Sequence, residues 1–301
     1  MRTTVLAIAI AVAFAIVTTG LGPERGSRVG VLILDAQAPA SAKSELETIL
    51  YKASDALGML RGVQEADRIV TFEYWATGTM SVGGKPCTLS EYRASLRYPI
   101  PGAASRLPVP AMRVDFTCEG QGRQIHSVAG RFAWNETEPG GGKATPMPAA
   151  VNERLLQIWT LPQGLIKAAR MAGTATKVTY EGGAPVLTFP LPAPLDGGTA
   201  KATMNTDVFL VHTMPSGVKR EFSHRIMQVE TRLGTVVTET TFSEYADWND
   251  KDYKSDALLP RRIVQRRGGA TILDLTISRS NTYNPYVVVP VPKNVEQTAG
   301  R

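Results

Sequence analysis

The stretch "RRIVQRRGGATILDLTISR", Arg261 to Arg279, reads as two alternating segments joined by a Gly-Gly turn. Successive side chains of an extended chain point to opposite faces, so Arg261, Ile263 and Arg267 share one side and Arg262, Val264 and Arg266 the other. Adjacent glycines take the positive φ of a tight hairpin without steric cost. An antiparallel hairpin is therefore expected. Charge on both sides of its first strand predicts an exposed strand end, read either as a sheet edge protected by cations or as a contact for anionic headgroups that salt would weaken.

The same alternation extends outward from this hairpin. Upstream, "VFLVHT", "HRIMQVETR" and "TVVTETTFSEY" alternate between turns at "PSG" and "LGT". In the first half of the chain, "RIVTFEYWATGTM" sets Val70, Phe72, Tyr74 and Ala76 against Thr71, Glu73, Trp75 and Thr77, a half-buried strand. Further strands are expected over 87–98, 112–119 and 124–135, before "NETEPGGGKATPMP" breaks the pattern. Ahead of them, Ser44 and Glu47 have capping-box spacing, and Leu46, Ile49, Leu50, Ala53, Leu57 and Leu60 form one face of a helix closed by Gly62.

Between the two blocks of strands lies "IWTLPQGLIKAARMAG", Ile158 to Gly173, the middle of a helical pair over roughly 149–172. Pro162 is compatible with the first turn of a new helix, where its missing N–H breaks no bond. The chain should therefore fold two apolar half-helices, Leu155-Leu156-Ile158-Trp159 and Leu165-Ile166-Ala169, onto the sheet. Gln163 stays at the elbow, as a structural residue or as a pocket contact. Helix, strands, helices, strands is the order of an α+β fold: a strongly curved antiparallel sheet, or half-barrel, with helices packed on its concave face.

The N-terminus carries Arg2 ahead of the apolar run Val5 to Val17, which is short for a membrane span. This predicts a signal peptide over 1–40, cut after Ala38-Pro39-Ala40, and a single domain over 41–301; an uncleaved anchor is the other reading. A periplasmic or secreted location follows, and with it a bond between Cys87 and Cys118, which pair readily in an oxidising compartment. The net charge of +6 is dispersed among acids, so no nucleic-acid surface is indicated.

Catalytic signatures are missing from the sequence: there is no Gly-x-Ser-x-Gly, His-Glu-x-x-His, P-loop or dinucleotide fingerprint. The acidic "DWNDKDYKSD", with Asp247, Asp250, Asp252 and Asp256, lacks the glycine and terminal glutamate of a calcium loop and reads as a solvated turn. His212 and His224 flank the turn near Ser216-Gly217, but two ligands alone rarely hold a catalytic zinc. No enzyme activity, cofactor or metal is expected.

The segments "VETRLGTVVTETTFSEYADW" and "LLPRRIVQRRGGATILDLTISRSNTYNPYVVVPVP" resemble the tail of the periplasmic lipoprotein-carrier family in their order: strand, strand, Pro-led strand, Gly-Gly turn, strand, Asn-rich exit. That resemblance is architectural and covers about half of the chain. "WTLPQGLIKAAR" with the Gly-Gly turn is similar to a group of exported bacterial proteins in which a similar region sometimes precedes a metallo-β-lactamase-type domain; this chain has no His-x-His-x-Asp-His motif. That group often has histidine where Gln163 stands, so a titratable group is lost here. The resemblance implies non-catalytic binding of a hydrophobic or amphiphilic molecule, a lipid or acyl chain, in the cell envelope, with an envelope protein as partner. Phe72 and Tyr74 would supply walls, Trp159 and Leu165 a lid, and Gln163 a contact. Alternatives are an accessory or substrate-binding module of a separate hydrolase, and a structural domain whose interior is fully packed.

Overall fold

The computed structural model describes residues 44–61, 66–100, 108–140, 143–213, 216–247, 258–282 and 284–298. The expected leader, its cleavage position, Gly62 and residues 248–256 of the acidic stretch lie outside them. Helix α1, Glu45–Ala56, opens on the expected capping box: the Glu47 amide donates to Ser44 Oγ at 3.2 Å and the Ser44 amide to Glu47 Oε2 at 2.9 Å. These bonds satisfy donors that a helix start leaves free. Ile49, Leu50 and Ala53 are its buried face. A two-residue pair follows, β1 (Leu60–Arg61) with β2 (Ala66–Asp67).

The first meander comprises β3 (Thr71–Val82), β4 (Lys85–Arg97), β5 (Ala111–Cys118), β6 (Gly122–Ala129), β7 (Phe132–Glu136) and β8 (Thr145–Pro146). Helices α2 (Val151–Trp159) and α3 (Pro162–Ala172) come next. The second half supplies β9 (Lys177–Glu181), β10 (Ala184–Pro190), β11 (Thr199–Asn205), the separate hairpin β12 (Leu210–Thr213) with β13 (Lys219–Phe222), then β14 (Arg225–Leu233), β15 (Val236–Asp247), β16 (Leu258–Arg267) and β17 (Ala270–Asn281). A short helix α4, Lys293–Thr298, ends the described chain.

Thirteen strands form one open antiparallel sheet in the order β8-β7-β6-β5-β4-β3-β17-β16-β15-β14-β11-β10-β9. The first meander runs outward from β3 to one edge. The second starts at the opposite edge and runs inward until β17 pairs with β3, Thr276 facing Thr77. Segment 147–176, which holds α2 and α3, is therefore the crossover from one edge to the other. The fold is α+β with the sheet dominant.

The register of β3 against β4 shifts between Ala76 and Gly78, and Gly78 sits at φ +143° with a Cβ position only 2.0 Å from the carbonyl oxygen of Asp274 on β17. Only glycine fits there. Cys87 of β4 and Cys118 of β5 are joined in a disulfide, Cα atoms 5.3 Å apart and 31 residues apart in sequence. Closing a loop of that length stabilises by ~3–4 kcal/mol in the chain-entropy estimate, and the bond points to a non-reducing environment. Among the described residues no helix is long and apolar enough to cross a membrane.

Side-chain alternation sends the sheet's two faces into different cores. One face carries Phe72, Tyr74, Met112, Val114, Phe116, Leu187, Phe242 and Ile263, and packs with residues of α1, α2 and α3. On the opposite face, Ala111, Ala129 and Trp134 lie under Val287, Val289 and Val295 of the C-terminal segment. Asn284 staples that segment to the start of β3, accepting from the Val70 and Thr71 amides at 2.9 and 3.2 Å and donating to the Arg68 carbonyl at 2.8 Å.

Four expectations change. Helix α1 ends at Ala56 with Leu57 as its C-cap, so Leu60, expected on its apolar face, lies in β1 instead. The strand over 124–135 is two strands, β6 and β7, with the chain reversing at Gly130 (φ 54°). Strands β9, β10 and β11 are additional; β10 begins and ends near proline and buries Pro185, Val186 and Leu187 in succession, while β11 buries only Ala200, Ala202 and Met204, so neither gives a strong alternating signal. Finally, β16 is interior and not an edge. Its arginines pair locally, Arg262 with Asp274 of β17 at 2.9 Å and Arg267 with Glu153 of α2 at 3.2 Å.

Candidate functional site

The five residues singled out from sequence all enter one core. Phe72 and Tyr74 lie on β3, Trp159 ends α2, and Gln163 and Leu165 belong to α3; none is more than 4% exposed. The rings form a chain of contacts, Tyr92 to Tyr74, Tyr74 to Phe72, Phe72 to Tyr98 and Tyr98 to Trp159, with centroids 5.9–6.3 Å apart. Offset and tilted pairs of this kind add to what burial alone contributes. Burial pushes the Tyr74 hydroxyl well above its ordinary range, with Tyr92 adding to the effect, and pushes Tyr92 up to about 12. Neither phenol ionises near neutral pH.

At the elbow, α2 stops at Thr160 and α3 begins at Pro162 in its first turn. A Cβ at Gly164 would lie 2.3 Å from the Ile158 carbonyl oxygen and 3.1 Å from the Tyr98 hydroxyl. That same hydroxyl donates to Ile158 O at 3.2 Å. The glycine thus lets the two helices and Tyr98, the residue after β4, meet at van der Waals distance. Eight consecutive residues of α3, Pro162 to Ala169, are buried, so the helix is enclosed on every side.

Enclosure forces its polar side chains to find partners. Gln163, Lys167 and Arg170 share one face at spacings of four and three. Gln163 Nε2 donates to the Leu258 carbonyl at 3.0 Å and so fixes the start of β16, while its Oε1 has no partner. Lys167 Nζ pairs with Asp67 Oδ2 at 2.6 Å, each side chain 5% exposed, and stands 5.2 Å from the Tyr98 ring centre. Burial lowers the Lys167 pKa while Asp67 opposes the shift. Arg170 donates to Ser54 Oγ at 2.7 Å, tying α3 to α1. Sequence reading missed the Lys167–Asp67 pair because the two are 100 positions apart and neither belongs to a spaced motif.

Arg154 of α2 is a second buried cation, 7% exposed, and it donates to the carbonyls of Ser127 and Trp134 at 2.9 and 2.7 Å and to Asn135. These bonds moor α2 to β6 and β7. Burial lowers its pKa to about 10. The same surroundings, with Arg154 contributing, lower His126 to about 4, its ring edge-on to Phe116 at 4.9 Å. His224 touches Ser223 Oγ at 2.7 Å, while His212 pairs through its backbone with Arg220, not with His224. Among the described residues no three His, Cys, Asp or Glu side chains converge on a common point.

A pocket of about 530 Å³ opens beside the elbow. Trp159 is part of its wall, with Val109, Phe132, Met171, Pro194 and Val291; Arg131 is the one charged lining residue. Phe72, Tyr74, Gln163 and Leu165 do not line it. They pack behind Trp159, within the same core. Neither a family model nor a curated protein matches this chain.

Proposed function

We propose that the protein binds an amphiphilic molecule without transforming it, holding the apolar part in the pocket at Trp159. The observation that carries this reading is the lining: a volume of about 530 Å³ walled by aromatic, aliphatic and proline side chains with Arg131 alone charged. Pockets of this size and polarity suit drug-sized or acyl ligands, and an arginine beside an apolar wall suits an anionic headgroup. Trp159 contacts the ligand directly in this reading, and the ring chain through Tyr98, Phe72 and Tyr74, with Leu165, holds the wall rigid. Gln163 acts by anchoring β16.

A half-barrel with its helices on the concave side is part of the same proposal. Thirteen strands laid flat would span ~58 Å at about 4.8 Å per step, whereas α2 and α3 together supply only ~30 Å of helix at 1.5 Å per residue. The pocket also draws Val109, next to β5, and Pro194, in the β10–β11 connection, to one place, although β5 lies seven positions from β11 and eight from β10 in the sheet. Strong bending around the helices accounts for both. The disulfide supports a periplasmic or secreted location. Val109 and Met171, 39% and 37% exposed beside Arg131, offer a face for transient contact with an anionic membrane or an envelope partner that delivers the ligand.

Titration with a fluorescent fatty acid, competed by unlabelled oleate, tests the reading. Saturable binding is expected, weakened about tenfold or more by Phe132→Ala or by Met171→Asp at the rim. Absence of saturable binding to the wild type ends the proposal.

A further inference from the structure

The inward face of the sheet changes character toward one end. Phe242 of β15 and Ile263 of β16 are core residues, paired across the two strands. Two positions along each strand the pair is Thr240 with Gln265, and two further it is Thr238 with Arg267. Thr238, Thr240 and Gln265 are buried, at 4%, 1% and 8% exposure, and so is Thr160, the residue that caps the end of α2, at 3%. Burying hydroxyls and amides on a face that is otherwise apolar costs free energy unless they are satisfied, yet Thr240 Oγ1 has no protein partner.

Thr160, Thr238, Gln265 and Arg267 of this set, though not Thr240, border a recess of about 350 Å³ between α2, the β3–β4 turn at Gly83-Gly84 and the face of β15, β16 and β17 that carries them. Thr160, Thr238, Gln157 and Gln265 line it, with Leu156 and Leu273 as an apolar wall. Its only charged lining residues, Arg267 and Glu153, are paired with each other at 3.2 Å, and Arg267 Nε also donates to Thr238 Oγ1 at 3.4 Å. The recess therefore offers no net charge to an ion. It offers hydroxyls and carboxamides, which can donate and accept together. The matching ligand carries several hydroxyls, each also donor and acceptor, with a C–H face to lie on the leucines.

We infer that this recess binds a neutral polyhydroxylated molecule of monosaccharide size. It shares no lining residue with the pocket at Trp159, so the two proposals stand or fall separately. The occupant's hydroxyls supply hydrogen bonds to the side chains of Gln265, Gln157, Thr160 and Thr238, and its ring excludes water from the layer in which the unpartnered Thr240 hydroxyl lies.

The test is nuclear magnetic resonance on the full chain with nitrogen-15 label, titrated in parallel with D-glucose, sodium phosphate and O-phosphoethanolamine. Glucose is expected to shift the side-chain amide signals of Gln157 and Gln265 saturably, and Gln265→Leu and Thr160→Val should each weaken that binding about tenfold, the loss of one buried hydrogen bond. Both substitutions preserve approximate volume, and an unchanged spectrum elsewhere shows that the variants fold. Saturation by phosphate or phosphoethanolamine in place of glucose, abolished by Arg267→Gln, would overturn the neutral-ligand assignment. No saturable shift with any of the three would overturn the site.

Discussion

Removing both partners of the Lys167–Asp67 pair should destabilise the fold by clearly less than the sum of removing each alone. The ammonium and carboxylate are 2.6 Å apart and each is 5% exposed, so water screens them weakly. At an effective dielectric constant of 20 their gross attraction is ~6 kcal/mol, much of it offset by the desolvation of two ions. Lys167→Met leaves a buried carboxylate without its cation, and Asp67→Asn leaves a buried ammonium without its anion; each is expected to cost about 3–5 kcal/mol. Asparagine can still accept from the Ile69 amide, as Asp67 Oδ1 does at 3.2 Å, so the change isolates the charge. The double variant should lose clearly less than the sum, with a coupling energy of ~2 kcal/mol or more. Part of the Lys167→Met loss belongs to the ammonium over the Tyr98 ring, a contribution of about 1–2 kcal/mol when desolvated. Urea unfolding at neutral pH of the wild type, both single variants and the double variant, disulfide intact, measures the cycle. Additive losses would refute the view that α3 is held in the interior by this pair.

Two further outcomes follow from the elbow and from β6. Gly164→Ala should cost ~1–3 kcal/mol or more, because its Cβ meets a backbone oxygen at 2.3 Å rather than a side chain that can swing away; an unchanged urea midpoint would show that the helices do not cross so closely. For His126, burial first and Arg154 second lower the folded pKa from 6.5 to about 4, so between those values the unfolded chain binds the extra proton. Stability should therefore fall as pH drops from about 6.5 to about 4, by ~3 kcal/mol from this residue. His126→Gln should remove that share of the loss, and an identical pH profile in the variant would contradict the assignment.

Local chemistry was legible where it depends on neighbours in sequence. Ser44 and Glu47 cap α1 as their spacing requires, Gly268-Gly269 turn β16 into β17, and Pro162 starts α3, because a cap, a turn and an N-terminal proline each involve only a few consecutive residues. Cys87 and Cys118 were the only cysteines available to pair. The composition of "TAKATMN" hid β11, since alanines on its buried face carry little hydrophobic contrast.

Long-range placement was decided by the tertiary structure. The arginines of "RRIVQRR" looked like the mark of an edge, because a single strand cannot reveal Asp274 on its neighbour or Glu153 on a helix above it. Trp159 and Gln163 are four residues apart and equally buried, yet one faces an apolar pocket and the other holds the Leu258 carbonyl. The sequence by itself determined the alternation, the caps and the break between the helices, all set by bonds and torsions within a few residues. Which side chains line a cavity, and which buried charge meets which, was settled only when the crossover from β8 to β9 carried the helices across the sheet, since contacts between residues 100 or more apart exist only once the chain has closed upon itself.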